Sequence, residues 1–283
     1  MSKPDLHFFR ALATAGSMLI VAMLTGCQTS KPFLGVCGWA DHPPVLDGRL
    51  DDPAWRRAVV IDHFPSFWNH TNPGPLTRAW LLWDHDALYF AVRMTDKEMR
   101  SFGEKHNDQL WNGDVFELFF KPSADSPRYY EFEVNPKAAL LELAIPQAPF
   151  NFDKLAVEPP LGAVATVVVN GTLNQPGDVD RGWVVEGKIP WSAFAPSGGR
   201  PAPGAVWRFA LCRYDYGPDG TKPVLTSSAP LSQPDFHLTT DYGWLVFQRP
   251  KQPRAAPLQK QIPACCRGST SATLFHLSAS HHD

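Results

Sequence analysis

Apolar residues in this chain come in short runs, each closed within a few positions by glycine, proline, asparagine or aspartate. That punctuation constrains the fold more than any other feature. With 28 prolines and 20 glycines in 283 residues, long helices are interrupted everywhere, whereas short strands fit between the breaks. The runs read as strands at 78–83, 87–94, 114–120, 129–134, 138–143, 164–169, 182–189, 207–214 and 243–247. Some alternate and some are continuously apolar, as expected of strands covered on one face or on both. Asp84-His85-Asp86 forms the turn between the first two, and Asn170-Gly171 is a strong turn signal after 164–169. Only 52–57 and 190–194 read as helical, each for about one turn. The pattern predicts an all-β chain, a β-sandwich of jelly-roll-like form. Trp55, Trp80, Trp83, Trp183, Trp191 and Trp207 fall where such a core wants large side chains.

The ends are of a different character. Lys3 and Arg10 precede an apolar stretch, Ala11 to Leu24, which closes on Leu24-Thr25-Gly26-Cys27. This ending resembles the lipobox of bacterial lipoproteins, whose cysteine becomes the acylated first residue of the mature protein. Residues 1–26 are therefore expected to be a signal peptide, Cys27 the lipidation site and 27–36 a tether. Gln28, rather than Asp, follows the cysteine, so the expected location is the cell envelope at the outer membrane or periplasmic face. A domain over 37–249 follows, then a Pro-, Gln- and Ser-rich tail, 250–283, with no periodic hydrophobicity. A net charge of −2 lacks the basic surplus that nucleic-acid binding requires. In an oxidising compartment Cys37 and Cys212 can either pair or stay as two buried thiols. Cys265-Cys266 has no metal-site spacing.

Six fragments in order carry a family resemblance. They are Pro44-Val45-Leu46-Asp47-Gly48-Arg49-Leu50-Asp51-Asp52-Pro53-Ala54-Trp55, Trp83 to Tyr89, Leu110 to Phe119, Phe132-Glu133-Val134-Asn135-Pro136, Gly182 to Trp191, and Phe236-His237 with Tyr242 to Phe247. Together they resemble carbohydrate-binding module family 9 and its relatives among the DOMON-like β-sandwiches. The resemblance implies a carbohydrate ligand and a non-catalytic role beside polysaccharide-degrading enzymes.

It also implies a site. Pyranose rings offer an apolar face to an aromatic ring and hydroxyls to polar side chains. Trp111 and Glu117 stand where family members contact sugar, and Phe236 best fills the place of the second stacking aromatic, with His237 beside it. Phe is a smaller platform than Trp, so stacking should weaken by about 1 kcal/mol or less. Glu133 stands where the sugar-binding members carry Arg, which reverses a charge and puts their ligand, the reducing end of a glucan or xylan, in question here. Asn135 keeps an amide that both donates and accepts. The family often holds structural calcium (Ca2+), and Asp47, Asp51, Asp52, Asp84, Asp86 and Asp96 are the available acids, without EF-hand spacing.

Two other readings compete. Glu131/Glu133 and Asp114/Glu117 are carboxylate pairs of the kind a glycoside hydrolase needs. Some DOMON relatives hold haem, for which Met94, Met99, His106 and His237 would be the axial candidates.

Overall fold

Among the residues described by the computed structural model, 33–66 and 75–250, eleven strands dominate. They are β1 (Leu34–Trp39), β2 (Thr77–Trp83), β3 (Ala87–Met94), β4 (Val115–Lys121), β5 (Tyr129–Val134), β6 (Leu140–Ile145), β7 (Val164–Asn170), β8 (Gly182–Pro190), β9 (Val206–Tyr216), β10 (Pro223–Ser227) and β11 (Gly243–Phe247). One helical turn, α1 (Phe152–Leu155), is capped by the Asn151 side chain, and three short 3-10 turns complete the set. The expected signal peptide, the lipidation site Cys27 and the C-terminal tail with Cys265 and Cys266 lie outside the described residues.

The strands run in the order β6-β5-β4-β9-β11-β1-β2-β3-β8-β7, with β10 added to β9. β1 joins two halves. Its first part, Leu34 to Cys37, pairs in parallel with β11, and Gly38 and Trp39 pair in parallel with β2. All other strand pairs are antiparallel. The result is two sheets, β6-β5-β4-β9-β11-β1 and β1-β2-β3-β8-β7, sharing one strand and facing one another across a common core, the expected all-β sandwich.

Side-chain period fixes what each face does. On β4, Phe116, Leu118 and Phe120 enter the core between the sheets, while Val115 and Phe119 belong to a second apolar cluster. On β5, Tyr130, Phe132 and Val134 point inward and Tyr129 outward. Both faces of these strands are covered, which is why their sequences are continuously apolar rather than alternating. The main core is dense in aromatics: Trp83, Trp191, Trp207, Phe194 and Phe247 meet at centroid distances of 4.8–6.2 Å. The second cluster, on the outer face of the first sheet, is roofed by the segments 146–163 and 228–242.

Two features differ from the expectation. β1 begins at Leu34, inside the stretch read as a tether, and β10 carries no sequence signal. Cys37 and Cys212 are both free and buried, in the main core and the outer cluster respectively. They lie on opposite faces of the first sheet, so they do not form a disulfide.

Candidate functional site

The largest departure from apolar packing is on the outer face of β4 and β5. Period 2 puts Glu117 on that face between Val115 and Phe119, and puts Glu131 and Glu133 there after Tyr129. Register then brings them together, because Glu117 is the direct cross-strand partner of Glu133. All three are at most 5% exposed, and their carboxylate oxygens lie within 4.8 Å of one another. Among the described residues no N–H or hydroxyl donates to either oxygen of Glu133, which can share a proton only with the carboxyls of Glu117 and Glu131.

These acids form the floor of a cavity of about 360 Å³, a size that suits a small ligand. Its walls come from the covering loops and from β9: Trp111, Phe150, Phe152, Tyr214 and Phe236 are the aromatic members. Trp111 sits on a 3-10 turn before β4 and is half-buried, its ring edge-on to Phe152 at 4.9 Å. The Tyr216 hydroxyl donates to the Trp111 carbonyl at 2.8 Å and so fixes that turn. Phe236 is 6% exposed, wedged against Phe119 and Tyr214. His237 shares a hydrogen bond with the Tyr129 hydroxyl through Nδ1 at 3.1 Å, and its ring meets Phe119 and Phe150 edge-on.

Burial sets the electrostatics. It drives the carboxyls of Glu117 and Glu133 well above the ordinary range, and the mutual repulsion of the acids adds to this. Glu131 is raised for the same first reason, while nearby His237 pulls it down. The cluster therefore retains protons that isolated carboxylates lose, and titrates as a unit.

Of the residues singled out in the sequence, Trp111, Glu117, Glu133, Phe236 and His237 line this one cavity. Asn135 does not. Its Nδ2 donates to the Phe102 and Gly103 carbonyls, and its Oδ1 accepts from the Lys137 and Ala139 amides, so it is fully used in organising the turn after β5. Tyr214, Phe150, Phe152 and Asp235 join the lining unforeseen. Glu131 was legible as a site residue by its period-2 spacing from Glu133, whereas Phe150 and Phe152 sit in a loop without periodicity.

Three of the aspartates considered for calcium, Asp47, Asp52 and Asp84, serve turns. Asp52 accepts from Val45 and Ala54, Asp47 from Arg49, and Asp84 from Asp86, Ala87 and the Tyr89 hydroxyl. Asp96 does join Asp114 and Asp215 in a second acidic group. The guanidinium of Arg213, fully buried, already bonds both Asp96 and Asp215, and Asp114 accepts from the Arg100 and Tyr216 amides. Arg213 thus sets a positive charge among these three acids, and part of their negative charge is balanced within the protein. Met94 and Met99 are buried between the sheets, on the far side from His237, so they cannot share an axial role with it.

Residues 46–249 match the family model described as carbohydrate family 9 binding domain-like. The chain belongs to that family. Its family 9-like fold also recurs in solved structures. One is a putative carbohydrate-binding protein from Bacteroides uniformis, with a TM-score of 0.60 at 16% identity, covering 77% of this chain and 100% of that one. Another is a family 9 carbohydrate-binding module from Caldicellulosiruptor kristjanssonii in complex with cellotriose, with a TM-score of 0.54 at 14% identity, covering 80% and 99%. The same module in complex with glucose gives 0.54 at 14% identity, covering 79% and 100%. At such identities the likeness establishes the fold. Among curated proteins, endo-1,4-beta-xylanase A of Thermoanaerobacterium saccharolyticum is 26% identical over 156 residues. That match takes in 55% of this chain and 12% of the xylanase.

Proposed function

We propose that the family 9-like domain binds a carbohydrate in the cavity on the outer face of β4 and β5, and that it does so as an exported, lipid-anchored protein of the cell envelope that serves carbohydrate catabolism. The observation that carries the first part is the pairing of an aromatic wall with a hydrogen-bonding floor in one cavity of about 360 Å³. Trp111 supplies a half-exposed ring for the apolar face of a pyranose, and Phe152 holds that ring upright. Glu117, Glu131 and Glu133 accept hydrogen bonds from hydroxyls below it, and in their protonated forms also donate. Membership of a carbohydrate-binding family supports the same assignment.

Hydrolysis fits the geometry less well. A glycosidase sets its two acids on either side of the scissile bond. Here all three carboxylates rise from one sheet face within 4.8 Å of one another, and so approach a ligand from one side. Titration calorimetry with cellotriose and xylotriose tests the binding reading. Trp111→Ala is expected to weaken whichever oligosaccharide binds by tenfold or more, from the loss of one stacking platform. Binding unchanged by that substitution would remove Trp111 from the site. The anchor rests on Leu24-Thr25-Gly26-Cys27 and is tested separately. Cells fed a labelled fatty acid should label the wild-type chain and not Cys27→Ala.

A further inference from the structure

Resting on the sugar-binding reading, we infer that the cavity selects a sugar bearing a protonated amine, of which a 2-amino-2-deoxy-hexose is the simplest case. Among the described residues the lining holds four carboxylates, Glu117, Glu131, Glu133 and Asp235, against a single imidazole, His237, and no lysine or arginine. His237 is already engaged with the Tyr129 hydroxyl. Glu133 is 1% exposed, and among the described residues neither of its oxygens receives an N–H or hydroxyl although both lie in the floor of an open cavity. Buried acceptors without donors are costly, and natural structures leave few of them. What is missing is a group that brings donors and positive charge together.

An ammonium matches that need. It carries three N–H donors and no acceptor, and three carboxylates converge here within 4.8 Å. Neutral hydroxyls bring a donor each but no charge, so only the ammonium also balances these acids when they ionise. The aromatic walls, Trp111, Phe150, Phe152, Tyr214 and Phe236, favour the same ligand twice over. They stack on a sugar ring and their π-faces attract a cation. A bare divalent ion fits worse. Calcium seeks six to eight oxygen ligands, and beyond the carboxylates most of this lining is aromatic carbon. Burial and the neighbouring acids already work against the charged forms of Glu117 and Glu133, and an ammonium held between them would favour those forms instead.

Three trisaccharides with the same β-1,4-linked skeleton decide the matter by calorimetry on the intact chain at neutral pH: the glucosamine trimer, its N-acetylated form, and cellotriose. They differ only at C2, as ammonium, amide or hydroxyl. The glucosamine trimer is expected to bind at least tenfold more tightly than either other, and Glu133→Gln to collapse that preference. Glu131→Gln gives a second reading should the first variant fail to fold. Equal or weaker binding of the amine would overturn the inference, and cellotriose binding in the same series would leave the general sugar-binding reading standing. Absence of binding by all three would end both. Calcium chloride binding that is lost in Glu133→Gln, without any preference for the amine, would assign the cluster to a metal and overturn the inference.

Discussion

Glu133 shows how one residue can be unfavourable for stability and informative about function. It is almost fully buried, faces Glu117 across the strand pair, and among the described residues receives no N–H or hydroxyl at either oxygen. Its carboxyl is held well above the usual range, first by burial and then by Glu117 and Glu131. Replacing it with glutamine, which has the shape of the neutral acid but cannot ionise, should stabilise the unliganded protein. The gain is expected to be about 1–3 kcal/mol at pH 8 and to shrink at pH 5, where the glutamate of the unfolded chain is itself close to protonation. Denaturant melts at the two pH values check this, and an equal loss of stability at both would contradict it. In the sequence, Glu133 was visible as a charge reversal within a family pattern. Its lack of donors was not, because that depends on which groups β4, β5 and the covering loops place around it.

At the scale of elements, two buried polar side chains tie separate strands together. Glu186 on β8 accepts from the Asp47 and Gly48 amides and from Trp55 Nε1. It thereby anchors the irregular segment before β2 to the outer face of the second sheet. Gly48 has φ of +80°, and a Cβ there would meet Val168 Cγ2 at 2.3 Å, which explains a glycine at that turn. Glu186→Ala would strand three donors and should cost about 3 kcal/mol, measured by chemical denaturation. Arg213 on β9 works inside the sandwich, bonding Thr77, the Thr95 carbonyl, Asp96 and Asp215. Arg213→Met leaves the buried Asp96 and the half-buried Asp215 uncompensated and should cost about 3–5 kcal/mol. The strands flanking these residues were legible from apolar runs: β3, β5 and β11 begin and end where the sequence pattern places them. β1 and β10 were not legible. β1 is a short segment in which small residues interrupt the apolar ones, and β10 opens on a proline at a sheet edge, so tertiary pairing rather than local pattern makes them strands.

For the whole molecule, buried acids set the response to pH. Asp114 is pushed up to about 8, by burial and then by Asp96, and Asp215 to about 6, by burial and despite Arg213. In the unfolded chain both titrate near pH 4. The native state thus binds more protons than the unfolded state from about pH 4 up to those values, and its stability falls as pH rises through this window. The acids of the cavity act in the same direction. Thermal melts should give a lower Tm at pH 8.5 than at pH 5, against the more usual acid sensitivity of proteins. A rising Tm over that range would contradict the assignment of these carboxyls. The same architecture explains why the candidate site was only partly readable beforehand. Trp111 and Glu117 belong to one short stretch, but Tyr214, Phe150 and Asp235 reach the cavity from distant β9 and from two loops. The central claim concerns place as well as chemistry, so the most direct test is a crystal structure with the tightest-binding oligosaccharide soaked in. A sugar ring lying against Trp111, with its polar groups on Glu117, Glu131 and Glu133, is the predicted result. A sugar bound elsewhere on the domain, with this cavity left to water, would contradict it.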